Sequence, residues 1–326
     1  MNQSKFSLAD VLTVLSAISF GFVCFLGANF LNIDSEKVWG MSHTTGCIMI
    51  ALFCSLLLFT TSYGAKRLKR TDRNFKTSFI AEVILLFLFA IFAVLFAMRG
   101  SPFPHYFSVT AQKSEINNKL QAGITQAEKM FEAYESYAEN RKIRYRNTLQ
   151  TVIAGEGNNP DTLANYGFRP TKQEPGDSQI VFKMLTIQYD LFPTNYSDSV
   201  ANNGIKEIAK GWLQEAKSTT SSWKPIGIVN VVNAIEKNTN DWLNTLVSFS
   251  TIREVGEQAM DFNYQLSFAD VKMHFFKTES PSALSYGLSL LAYLLMLLSW
   301  AVAKRSTRFP GLKLLFGMGK SRDNEL

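Results

Sequence analysis

The sequence predicts an all-α, four-span membrane protein with a large extracytoplasmic helical-bundle domain inserted between spans 3 and 4. Three observations predict it. Four apolar runs, 8–31, 45–65, 78–98 and 283–303, each have about the 20 residues needed to cross about 30 Å of hydrocarbon. Lys and Arg crowd beside these runs in the segments 66–76 and 304–322. Between the third and fourth runs, apolar residues return every three or four positions, the period of a helix with one buried face. A hydrophobic content of 47% with 26 Phe in 326 residues agrees with a multi-span chain.

The boundaries follow: three membrane helices with short loops over 1–98, an extracytoplasmic α-helical domain over 99–282, a fourth membrane helix over 283–303, and a basic tail over 304–326. Basic residues beside spans resist translocation. The loop with Lys66, Arg67, Lys69, Arg70, Arg73 and Lys76 is therefore expected in the cytoplasm, as is the tail with Lys304, Arg305, Arg308, Lys313, Lys320 and Arg322. Both termini are then cytoplasmic in a multi-pass protein of the inner (plasma) membrane. The first run is followed at once by a second span, so it reads as a retained anchor rather than a cleaved leader.

Residues 99–282 hold 19 Lys plus Arg against 20 Asp plus Glu, so the net charge of +6 comes from the flanks of the spans. That charge implies anionic lipid at the basic loop and tail; it does not imply nucleic acid. The three cysteines, Cys24, Cys47 and Cys54, lie in the first two runs, and the large outer domain has none to crosslink it. A small first outer loop, a large second one and both ends inside resemble the layout of tetraspanins. The large loop lacks the Cys-Cys-Gly motif of that family, which excludes it and favours a bacterial inner membrane with a periplasmic domain.

Taken in order, the first span carries Asp10 and Asn29 near its ends, within reach of the interface. Cys47 and Cys54, seven residues apart, share one face of the second span and read as packing residues. Glu82 lies about one turn inside the third span, where a carboxylate costs about 2.5–3.5 kcal/mol at mid-membrane and less near an interface. It is expected to anchor electrostatically on Lys76 or Arg73, with ion transport as the competing role. Gly100, Pro102 and Pro104 end the span, and a long helix restarts near Ser108.

That helix carries the seam Leu120, Ile124, Ala127, Phe131, Tyr134, Ala138, Tyr145, Leu149, Val152. A second seam, Val255, Ala259, Phe262, Leu266, Ala269, Met273, Phe276, predicts a matching helix that runs to the last span. On the first, Arg141, Lys142, Arg144 and Arg146 follow an acidic row of Glu128, Glu132, Glu135 and Glu139; the basic cluster is a candidate partner-docking patch. Residues 155–179, rich in Gly and Pro, predict a long loop. A short helix is expected beyond it over 180–191, then an amphipathic helix over 197–217. Another starts at Pro225, with a break at 238–240. Trp212, Trp223 and Trp242 read as core or rim anchors.

No phosphate-binding loop, Cys-x-x-Cys pair, His-Glu-x-x-His helix or Gly-x-Ser-x-Gly elbow occurs in the sequence. His43, His105 and His274 all fall near the outer ends of the spans, and three imidazoles together would suit a transition metal or a pH sensor. In the tail, Phe309, Leu312, Leu315 and Phe316 between basic ends fit an interfacial anchor or a docking peptide. No enzyme activity and no cofactor is expected. The expectation is a scaffold or anchor subunit of an envelope assembly that contacts other envelope proteins, or a second copy of itself, through its helical stalk. A sensor subunit and a channel component using Glu82 are the alternatives.

Overall fold

The computed structural model describes residues 7–71, 74–156, 160–168, 176–197, 203–258, 260–266, 271–276 and 282–306. The described chain is dominated by helices and divides into two compact units, Met1–Lys113 with Lys272–Leu326, and Ser114–Val271.

The first unit contains four helices long and apolar enough to cross a membrane: α1 (Leu8–Leu31), α2 (His43–Lys69), α3 (Phe75–Ala97) and α11 (Ala283–Val302). A short helix, α4 (Pro102–Ala111), follows α3 after Gly100 turns the chain with φ of 88°. Ser7 and Asp10 close a capping box at the start of α1, the reciprocal bonding that satisfies two of its orphan N–H groups. Polar side chains then stitch the spans together. Ser16 and Thr13 donate to the carbonyls of Ala292 and Leu295 at 2.9 and 3.2 Å, and α11 turns Ser285, Ser289, Tyr293, Met296 and Ser299 inward. Small residues and hydroxyls let spans approach closely where lipid offers no hydrophobic drive.

α4 packs within this unit, whereas the extracytoplasmic helical domain was expected to start at residue 99. Phe103 stacks on Phe20 with centroids 4.7 Å apart, and a Cβ on Gly27 would lie 1.8 Å from the Pro102 carbonyl oxygen. Only glycine permits that approach of α1 to α4. Between α1 and α2 the chain makes a hairpin the sequence analysis missed, β1 (Lys37–Val38) paired antiparallel with β2 (Met41–Ser42). Its two turn residues, Trp39 and Gly40, both have positive φ, 53° and 75°, the pattern of a tight twisted turn.

The second unit is built on α5 (Lys113–Glu156), with α6 (Pro160–Asn165), α7 (Gly176–Leu191), α8 (Ile205–Ser221) and α9 (Pro225–Ser250). The α5 seam is buried from Leu120 to Leu149. α6 occupies part of the stretch expected as loop, and α9 runs without the break expected at 238–240. Thr239 there bonds its hydroxyl back to the Ile235 carbonyl at 2.5 Å and stays buried. Tyr134 sits at the centre, its hydroxyl donating to the Leu191 carbonyl at 2.7 Å and Phe262 edge-on 5.2 Å away. Trp212 and Trp242 meet edge to face at 5.9 Å, and Phe131 lies 6.1 Å from Trp242.

The second seam does not form the expected helix. The described residues from 252 to 266 form neither helix nor strand and turn at 255–256, and only α10 (Val271–Phe276) is helical at the end of that stretch; Ala259 and Ala269 lie outside the described residues. Side chains of α5 take up its carbonyls: Tyr145 bonds Val255 at 3.0 Å, Tyr137 bonds Met260, and Gln126 bonds Gln265 at 3.0 Å. From 145 to 126 a helix rises about 28 Å, and the ten steps from 255 to 265 cover about the same in extended chain. The segment is therefore a strap laid antiparallel along α5. Its backbone needs no helix because α5 supplies the hydrogen bonds.

Candidate functional site

The second unit concentrates its charge chemistry on Arg141. The residue stands three positions after Ala138 and four before Tyr145, on the seam face of α5, and is only 1% exposed. Its Nε and Nη2 hold the two oxygens of Glu257 at 2.6 and 2.9 Å. Nη1 donates to the Ser250 carbonyl at 2.8 Å and the Tyr137 hydroxyl at 3.4 Å, and Nη2 also donates to the Ile252 carbonyl. All five guanidinium N–H groups are used. Burial works against the charged form, yet the Glu257 carboxylate outweighs it and holds the Arg141 pKa above its ordinary value.

This arrangement corrects the reading of Arg141 as a partner contact. A seam position cannot face solvent, so the arginine became an internal clamp that ties the strap to α5. Lys142, Arg144 and Arg146 do remain at the surface. Lys142 pairs with Glu139 at 2.8 Å, whereas Arg144 and Arg146 make no ion pair with any described residue.

Two concavities flank the clamp helix. A polar cleft of about 210 Å³ is lined by Arg144, Thr148, Tyr166 and Gln258 among others. On another face a groove of about 400 Å³ runs between α5 and α7, with Ile143, Val181, Met184 and Leu185 as its apolar lining and Lys142 and Arg146 at its rim. It shares Glu139 and Gln188 with a further depression that continues to Tyr189 and Tyr196. The two make one trough along α7. Exposed apolar residues of α7 form its wall, a feature the sequence analysis did not single out although the spacing of Val181, Leu185 and Tyr189 carries it.

Three buried tyrosines give this unit a pH limit. Burial pushes the phenols of Tyr134, Tyr145 and Tyr196 well above their ordinary value near 10. Glu254 and Glu257 add to this at Tyr145, as does the hydrogen bond from Tyr196 to Glu135. A folded-state pKa raised above the unfolded one contributes stability that is complete below about pH 10 and is lost as pH rises toward the folded values. We expect the second unit to unfold cooperatively above about pH 10, with the phenolate absorbance of these tyrosines appearing in the same step as loss of helical circular dichroism. Phenolate absorbance rising well before the helix signal changes would refute this.

In the membrane unit, Glu82 is buried and fully engaged. Arg305 grips it with two N–H groups at 2.8 and 2.9 Å, and the Trp300 indole donates to it at 2.9 Å. Glu82 pairs with Arg305 beyond α11 and not with Lys76, one of its two expected partners; the other, Arg73, lies outside the described residues. Lys66 pairs with Asp10, and Lys69 donates to the Trp300 carbonyl at 2.8 Å with its ammonium 4.6 Å from that indole ring. The starts of α1 and α3 thus meet the ends of α2 and α11 in one belt of charge.

The three histidines do not make a metal centre. His43 bonds the Ser35 carbonyl at 2.9 Å and Asn29 at 3.2 Å, His274 bonds Gln112 at 3.1 Å, and His105 is buried in α4. Among the described residues no three His, Cys, Asp or Glu side chains are placed to hold a metal ion. Each imidazole lies in its own neighbourhood, which sequence proximity to the span ends does not reveal. Phe309, Leu312, Leu315 and Phe316 lie outside the described residues. No protein-family model, curated protein or solved structure matches this chain.

Proposed function

We propose that this chain is a non-enzymatic scaffold or anchor subunit of a multiprotein envelope-spanning assembly of the secretion, motility or defence type, held in the inner membrane by four spans. Its helical unit Ser114–Val271 stands on the extracytoplasmic side and contacts partner envelope proteins. The observation that carries this reading is the trough between α5 and α7, an apolar surface left open to water on an otherwise clamped bundle. The belt of Lys66, Lys69 and Arg305 at one end of the spans supports placing that end, and both termini, in the cytoplasm against anionic lipid.

The test is extraction from the native membrane in a mild detergent, followed by mass determination and identification of co-purifying chains. A stoichiometric complex with other envelope proteins is expected. A lone monomer or a homo-oligomer would overturn the scaffold reading.

A second reading, a sensor subunit that binds a small polar ligand, is favoured by the cleft beside Arg144, Thr148 and Gln258. It requires a small carboxylate or similar anion to raise the melting temperature of the chain, and that rise to vanish in Arg144→Ala.

A further inference from the structure

We propose that the trough between α5 and α7 is the docking site for an amphipathic helix of another protein, one whose apolar stripe is flanked by Asp or Glu. This rests on the scaffold reading and names the site and the partner chemistry that the reading requires.

The apolar wall is unusual for a helix outside the spans. Tyr189 is 67% exposed, Val181 61% and Leu185 51%, and Ile143 on the facing helix is 49% exposed. Exposed singly, such residues mean little; aligned on one ridge beside a groove, they mark a binding surface. Val181, Leu185 and Tyr189 are spaced by four, so they form a ridge into which the side chains of a third helix can interdigitate. From Arg146 to Glu135 the α5 wall is about 16 Å long, or about three helical turns. That length takes anchors at i, i+4 and i+7 of a partner helix.

Geometry excludes strand addition. Both walls are helices with their backbone hydrogen bonds closed internally, so neither offers an edge to an extended peptide.

Charge decides the partner. Glu139 at the trough is already paired with Lys142, and Glu135 with Lys206 and the Tyr196 hydroxyl. Arg146 at the rim has no counter-charge among the described residues. The uncompensated charge of this surface is positive. A second copy of this chain would bring to it no free carboxylate from the same face, so the complementary occupant is a different, acidic helix.

The test places a photo-crosslinking benzoylphenylalanine at Leu185 of the full chain in its native membrane, with the same group at the exposed Glu236 of α9 as control. The expected product joins position 185 to a separate protein, within a helix carrying apolar residues at three- and four-residue spacing and Asp or Glu beside them. Arg146→Glu should lower the yield about tenfold, and reversing the mapped partner acid to Lys should restore it. Both positions are at the surface, so unchanged circular dichroism and melting temperature confirm that the fold is kept.

A product of twice the chain mass, a crosslink to lipid only, a mapped segment without acidic residues, or a yield indifferent to Arg146→Glu would each overturn the proposal. So would absence of any crosslink at 185 while the wild-type complex still co-purifies, and in that case the scaffold reading stands alone. Absence of any complex around the wild-type chain would instead bring down the scaffold reading.

Discussion

Arg141→Ala is expected to destabilise the second unit by about 3–5 kcal/mol, the cost typical of removing one partner from a buried, hydrogen-bonded ion pair. The magnitude follows from what the substitution strands. Glu257 would remain as a buried carboxylate, its side chain 2% exposed, and the carbonyls of Ser250 and Ile252 would each lose one of two guanidinium donors, keeping only Arg253. The damage should begin in the strap, where the Phe262 amide donates to the Ser250 hydroxyl at 2.9 Å and the Glu254 amide to Glu257 at 3.2 Å. Hydrogen exchange of peptides covering 251–266 in the full chain is the direct readout. We expect those amides to exchange faster by an order of magnitude or more, together with a lower denaturant midpoint. Glu257→Gln should cost less, because an amide oxygen still accepts from Arg141. Lys142→Ala, at a surface pair with Glu139, should stay within about 0.5 kcal/mol. If Arg141→Ala behaves like Lys142→Ala, the clamp is not what holds the strap.

The same residue shows how far the sequence carries. The seam of α5 was legible because eight of its apolar or small positions keep a strict three- and four-residue spacing and are buried. Arg141 falls on that seam, midway between Ala138 and Tyr145, and a charge at a seam position already signals a buried partner. What the sequence could not supply was Glu257, 116 residues away. The strap misled for a related reason. Val255, Phe262 and Leu266 repeat like a helix, yet Val255 is exposed, Phe262 is buried on its own account, and Gly256 takes a φ of 83°. Three- and four-residue spacing over so few positions does not distinguish a helix from an extended chain whose polar groups are met by another helix's side chains. The four spans were readable because length and hydropathy alone set them. Which charges pair at their ends was not, since Asp10, Lys66, Glu82 and Arg305 meet only once the helices pack.

That belt carries the other large effect, and its sign is asymmetric. Glu82 has a side chain only 2% exposed, whereas that of Arg305 is 30% exposed. Arg305→Ala leaves a carboxylate inside the helix packing with the Trp300 indole still donating to it, and we expect a loss of about 2–3 kcal/mol. Glu82→Gln leaves a cation that can swing its long stem to the interface and water, so it should cost clearly less. Combining the two should cost less than Arg305→Ala alone, because the stranded charge is then gone; a double-mutant cycle in detergent micelles, followed by Trp fluorescence, measures the coupling. Equal losses from both single changes would mean that the pair does not sit at the depth its burial implies. The cycle also separates anchoring from ion transport. Two guanidinium N–H groups and an indole grip Glu82 as an anchor, so Glu82→Gln should leave both assembly and activity of the complex intact. Loss of activity with assembly preserved would instead make Glu82 an ion-carrying group and move the working part of the protein from the trough to the membrane.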